Sequence, residues 1–197
     1  MVIGIYGGVG SGKSTVLEYL QKHYGAHVLR ADDIAHELYE PGKLCYDAVI
    51  RILGKEIVLS DGTLDRKKMA DLIYHDPEKL EEINEAVHPL VRRETVRRLK
   101  ALENTPLTVL ETALPGKEDR DILDEIWYVY TSKGVREERL KTSRNYSDER
   151  IHEIMKRQPS EEAYRKISDW VLKNDGSPEE TERQIDARLS GKAERKE

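Results

Sequence analysis

VIGIYGGVGSGKST, residues 2–15, passes from a short apolar run through a glycine loop into the start of a helix, and the rest of the chain is organised around it. Val2, Ile3, Ile5 and Tyr6 have the composition of a short buried strand. Gly7 to Ser14 then satisfies G-x-x-x-x-G-K-[ST] at every fixed position, with Gly8 and Gly10 adding freedom. Without a Cβ in the way, backbone N–H groups of such a loop turn inward and form an anion nest. Placed at a helix N-terminus, the nest gains the positive end of the helix dipole, which suits the phosphates of a nucleotide. Gly8, Gly10, Ser11, Gly12, Lys13, Ser14 and Thr15 are therefore the candidate phosphate ligands. Lys13 is expected to reach the β- and γ-phosphates and the Ser14 hydroxyl to ligate Mg²⁺. The segment that follows, TVLEYLQKHY, repeats Val16, Leu17, Leu20 and Tyr24 at helical spacing, so the motif sits between a strand and a helix as its chemistry requires.

At 197 residues the chain has the length of one domain, or one domain with an insertion. Nothing near the N-terminus resembles a targeting peptide and no apolar run approaches membrane-spanning length, so a cytoplasmic protein is expected, with no membrane partner. Cys45 is the single cysteine, which excludes an intramolecular disulfide and a cysteine metal cluster. A net charge of −5, with 36% of residues charged, argues against nonspecific nucleic-acid binding, although local arginine clusters can still bind phosphate.

After Gly25 the stretch AHVLRADD reads as a second strand stopping at Asp32 and Asp33. In a parallel sheet, acidic residues just past a strand's carboxyl end face the ligand crevice, which makes Asp32 a candidate catalytic base. One of the two aspartates is expected to cap the helix IAHELYE, on which His36 lies. Residues 43–104 read as almost wholly helical, interrupted by the turn SDGT at 60–63. Asp65 and Asp76-Pro77 have the form of helix starts. A helical block of this length exceeds a simple crossover, so 34–104 is read as an inserted substrate-binding subdomain. Within it, His88-Pro89 marks a break or kink, and Arg92 and Arg93 beside it are candidates to grip an anionic substrate group. LTVLE reads as a third strand, and its Glu111 is a candidate to help hold Mg²⁺ through water. EIWYVYT at 125–131 gives a fourth strand. Residues 133–165 read as an arginine-bearing lid, from which Arg139 and Arg144 are expected to meet the transferring phosphoryl group. SDWVLKNDGS supplies a fifth strand ending in an Asn-Asp-Gly turn, and PEETERQIDARL an amphipathic helix. Strands alternating with helices, phosphate loop first, argue for an α/β protein: a three-layer α/β/α domain with a five-stranded parallel sheet.

The residues then resemble one family over nearly the whole chain and in order. GGVGSGKST, the A-D-x-I-A-H stretch at 31–36, EPG at 40–42, DGTLDRKKMADLIYHDPEKL, VHPL at 87–90, LETAL at 110–114, Gln158 and WVLKNDGS are similar to dephospho-CoA kinases. The phosphate loop alone is shared by very many NTPases; its combination with Asp32, His88-Pro89 and Asn174-Asp175-Gly176 is specific. The resemblance implies a P-loop kinase that phosphorylates the 3′-hydroxyl of dephospho-CoA, with ATP and Mg²⁺, to give coenzyme A and ADP. It places the catalytic aspartate on Asp32, the adenine of ATP against Asn174 and Asp175, and the CoA moiety on the insert; the candidate substrate contacts are Asp32 together with His36, His88, Arg92 and Arg93 of the insert. Three positions depart from the family pattern: Arg30 replaces a frequent first aspartate, Ala113-Leu114-Pro115 with Lys117 replaces a Pro-Leu-Leu-Glu pattern, and Arg139 and Arg144 stand one residue further apart than usual.

Other functions compatible with the local motifs are a nucleoside- or nucleotide-type kinase, a nucleotide-binding switch, and an inactive nucleotide-binding homologue. Against the switch, the chain carries neither N-K-x-D nor D-x-x-G. The sequence is silent on oligomeric state and is compatible with a monomer.

Overall fold

A computed structural model describes residues 1–112 and 117–193. Of the altered 113–117 segment, residues 113–116 lie outside the described residues. Its centre is a five-stranded parallel sheet in the order β2-β3-β1-β4-β5. The strands are β1 (Val2–Tyr6), β2 (His27–Arg30), β3 (Thr108–Thr112), β4 (Glu125–Tyr130) and β5 (Trp170–Lys173). The phosphate-loop strand is thus central, flanked by β3 and β4, with Ile5 opposite Glu111 and Tyr6 opposite Thr112 and Tyr128.

The chain divides into two compact units, Met1–Val28 with 105–197, and Leu29–Asn104. In the first, α1 (Lys13–Tyr24) and α9 (Pro178–Ala193) cover one face of the sheet. Alternation along β1 sends Ile3 and Ile5 to that face, where they join Val16, Leu17, Leu20, Trp127, Val129, Leu172 and Ile185 in a fully buried core. Trp127 meets Trp170 edge to face there, with ring centroids 4.6 Å apart. After β4 come α6 (Lys133–Arg144), α7 (Asp148–Lys156) and α8 (Glu161–Ile167), of which α8 packs on β4 from the opposite face. Tyr164 of α8 stacks on Tyr128 of β4 at 4.9 Å and 8°. Helix α9 is tied to α1 by Asp186, whose carboxylate accepts from Tyr19 Oη at 2.8 Å and Tyr24 Oη at 2.6 Å.

The second unit is helical: α2 (Ala31–Leu38), α3 (Tyr46–Leu53), α4 (Arg66–His75) and α5 (Pro77–Ala101). Asp65 caps α4 by accepting from Lys68 N at 3.0 Å, and Asp76 caps α5 by accepting from Lys79 N at 3.1 Å. Between α3 and α4 the Asp61 carboxylate accepts from Thr63 N, closing the expected turn. Two local expectations are corrected. Neither Asp32 nor Asp33 caps α2: Arg30 holds the cap position, and both aspartates lie in the first turn, where the helix dipole favours them. Of the break or kink expected at His88-Pro89, the break is absent: α5 runs through Pro89. Buried Ile83, Val87, Thr95 and Leu99 hold it on both sides of the proline, outweighing the loss of one N–H donor.

Candidate active site

The phosphate loop joins β1 to α1, so its shape is set by how it leaves a buried strand and enters a helix. Gly12 occupies the N-cap of α1 with φ 85°, a left-handed conformation that glycine adopts without strain. A Cβ there would also collide with the side-chain amide of Asn174. Lys13 opens the helix but turns back along the loop: its Nζ donates to the carbonyl of Gly7 at 2.8 Å and lies 3.7 Å from Oε1 of Glu111. Ser14 and Thr15 are exposed in the first turn of α1, while Ser11 is buried. The Ser11 hydroxyl fills the space that a Cβ on Gly7 would need. Ser11 therefore packs beneath the loop.

Glu111 comes to Lys13 because β3 is the direct neighbour of β1 and the register sets it opposite Ile5, near the strand ends from which the loop departs. A carboxylate and a hydroxyl are hard oxygen donors of the kind Mg²⁺ takes. Among the described residues no group of three or more His, Cys, Asp or Glu side chains could hold a metal ion.

The turn after β5 reaches the loop from beneath. Asn174, 6% exposed, donates from Nδ2 to the carbonyl of Ser11 at 2.7 Å, and its Oδ1 accepts from the Thr181 hydroxyl of α9 at 2.8 Å. The buried Thr131 hydroxyl donates to the same Ser11 carbonyl at 2.9 Å. Both ends of the Asn174 amide are thus bonded inside the protein. Asp175 next to it is exposed and accepts from Ser132 N at 2.7 Å, tying the turn to the start of α6.

Two arginines of α6 reach this cluster. Arg139 donates to the Asn174 carbonyl at 2.9 Å, with its other terminal nitrogen close to Gly12. Arg136, one turn earlier, donates from Nε to the Val9 carbonyl at 2.9 Å and from Nη2 to Gln158 at the end of α7. Its burial lowers its pKa from the usual arginine value. Arg144, the other arginine expected to face the phosphoryl group, is exposed in the last turn of α6. Sequence reasoning preferred Arg139 and Arg144 to Arg136 among the lid arginines, and passed over Thr131 and Thr181. For Arg136 a signal existed, since it lies three residues before Arg139 and shares its helix face.

In the second unit Asp32 is exposed in the first turn of α2, immediately beyond the carboxyl end of β2, and His36 is exposed one turn later. His88 and Arg93 are exposed on α5 and Arg92 is half-buried. Arg98 joins α5 to α2: it pairs with Glu37 and donates from Nε to Glu94 at 2.8 Å. Arg97 donates to Glu94 as well, at 2.7 Å and 2.8 Å. Held by two guanidinium groups, Arg97 first, the Glu94 carboxyl is pulled down to about 2.

Comparison with known proteins adds a family to this geometry. A family model described as dephospho-CoA kinase matches residues 1–180. A dephospho-CoA kinase of Carboxydothermus hydrogenoformans is 35% identical over 188 residues, covering 93% of this chain and 90% of that protein. The crystal structure of TT1252 from Thermus thermophilus superposes with a TM-score of 0.80 at 36% identity, covering 97% of each chain. Dephospho-CoA kinase from Campylobacter jejuni shares the fold, with a TM-score of 0.70 at 20% identity over 97% of this chain and 98% of that one.

Proposed function

The chain belongs to the dephospho-CoA kinase family, and we propose that it transfers the γ-phosphoryl group of ATP to the 3′-hydroxyl of dephospho-CoA, releasing coenzyme A and ADP. The observation that carries this reading is the unbroken family match over residues 1–180, which takes in a phosphate loop whose lysine stands beside Glu111.

Phosphoryl transfer asks little covalent chemistry of a protein and a great deal of positioning and charge neutralisation. The nest of Gly8 to Thr15 holds the phosphates, and Lys13 exchanges the Gly7 carbonyl for the β- and γ-oxygens. Arg139 neutralises charge on the group in flight. Asp32 accepts the proton of the attacking hydroxyl as its oxygen bonds to the γ-phosphorus. The bond from that phosphorus to the bridging oxygen breaks, and ADP leaves with the electron pair. Ser14 and Glu111 would hold Mg²⁺, which would supply neutralisation of the negative charge on the nucleotide phosphates. The insert 34–104 binds dephospho-CoA, with His36, His88, Arg92 and Arg93 as its contacts. Residues 133–165 serve as lid, and the turn at Asn174-Asp175 carries the adenine through its backbone. The charge balance of the chain fits a cytoplasmic enzyme working on a soluble substrate, and among the described residues no helix is long and apolar enough to cross a membrane.

A coupled ADP-release assay with ATP and Mg²⁺ tests the reading, comparing dephospho-CoA with adenosine, AMP, uridine and no acceptor. ADP release that depends on dephospho-CoA, with CoA as product, is expected. Turnover with another acceptor only would move the insert to a different substrate, and nucleotide binding without any turnover would mark an inactive homologue.

A further inference from the structure

Arg136 has no task in the scheme above, yet it is the arginine most intimately packed on the phosphate loop. Its guanidinium covers Gly8 so closely that a methyl group at that position would overlap it. Its two hydrogen-bond acceptors, the Val9 carbonyl and the Gln158 amide oxygen, are both neutral. Among the described residues no carboxylate stands within ion-pair distance of it; Glu137, its neighbour along α6, acts on it only at longer range. A half-buried guanidinium without an anion is costly to maintain, and its five N–H donors are not exhausted by these two partners. The missing counter-ion has to be a ligand, and the exposed side of a phosphate loop says which kind.

Lys13 identifies the part of the nucleotide involved. The ammonium that serves the β- and γ-phosphates is parked on the Gly7 carbonyl, at the strand-side end of the loop. Gly8 is the next residue, so Lys13 and Arg136 converge on one end of the nest. Arg139 attends the other end, close to Gly12. We infer that Arg136 is a further phosphate-binding residue that meets the terminal phosphate of ATP, with Gln158 as the positioning residue that aims its guanidinium. The inference rests on the ATP reading of the loop and gives that site a second arginine.

The test is calorimetric titration of the full chain, with Mg²⁺, against the non-hydrolysable analogue adenylyl imidodiphosphate and against ADP. Arg136→Gln is expected to weaken the analogue by about 10- to 100-fold, the range for a charged hydrogen bond, and ADP by less than about threefold. Arg136→Lys should recover part of the loss, because it restores the charge without the planar fork. Gln158→Ala should show the same split at roughly 3- to 10-fold, a smaller loss because charge is kept and only aim is lost; it decides the matter if Arg136→Gln does not fold. Equal weakening of the two nucleotides, or no weakening of either, overturns the assignment. A wild-type chain that binds neither nucleotide overturns the loop reading along with it.

Discussion

Replacing Asn174 by alanine isolates the contribution of the turn after β5 to the shape of the phosphate loop. Asn174 is 6% exposed, and the substitution deletes the bond from Nδ2 to the Ser11 carbonyl and the bond from Thr181 to Oδ1. Each is worth about 1 kcal/mol net while paired, and more if its partner is left buried and unpaired. Two backstops limit the damage. Thr131 already donates to the Ser11 carbonyl at 2.9 Å, and Thr181 has the Ser177 carbonyl within 3.4 Å. The loss is then about 2–3 kcal/mol. For a chain of 197 residues that lowers Tm by roughly 5–10 °C. Because the lost bond ends on the loop itself, ATP affinity should also fall, by about tenfold, as the nest loses preorganisation. The assays are a thermal melt followed by far-UV circular dichroism, and titrations of the folded variant with ATP and with adenosine. An unchanged Tm with unchanged ATP affinity would refute the reasoning. So would a loss of adenosine affinity as large as the loss for ATP, since that would place the effect of Asn174 at the base and not at the phosphate loop.

Asp32→Asn is expected to lower kcat by roughly 10²- to 10⁴-fold, the range for losing a general base, with ATP affinity kept; near-normal turnover in a steady-state assay removes Asp32 from proton transfer. The Glu94 cluster predicts acid sensitivity. Its carboxyl is depressed to about 2, so the stability it contributes is fully present above the ordinary carboxylate value of 4.5 and is lost as pH falls toward 2. That contribution is at most about 3 kcal/mol, less what solvent screening removes at the exposed Arg97. Urea denaturation at pH 7, 4 and 3 should show Glu94→Gln less stable than wild type at pH 7 and converging with it in acid; a constant gap across that range would discount the pair.

Local chemistry made much of the fold legible. The run Val2–Tyr6, the glycine loop and the aspartates at 65 and 76 each act on their own neighbours in sequence, so strand, loop and caps were readable and stand where expected. Pro89 misled as to a break because its effect is decided by packing: a helix with buried residues on both sides of the proline continues through it. Asp32 and Asp33 misled more narrowly, since capping depends on local backbone angles and α2 begins at Ala31, ahead of both aspartates. The order of the strands lies in pairings between distant segments. Only the fold reveals that Glu111 stands beside Lys13, although both were singled out individually. Asn174 marks the limit for polar side chains: its residue type announced a site, but which neighbours its amide engages depends on Ser11 and Thr181, 163 and 7 residues away.

The edge-to-face pair Trp127 and Trp170 comprises both tryptophans of the chain, and both lie in the unit that carries the phosphate loop. The helical unit, Leu29–Asn104, has none. Intrinsic tryptophan emission is therefore a built-in reporter of the sheet unit alone, while ellipticity at 222 nm samples the helices of both. Recording the two signals during one denaturant titration of the unlabelled protein shows directly whether the insert melts in step with the nucleotide-binding unit or ahead of it.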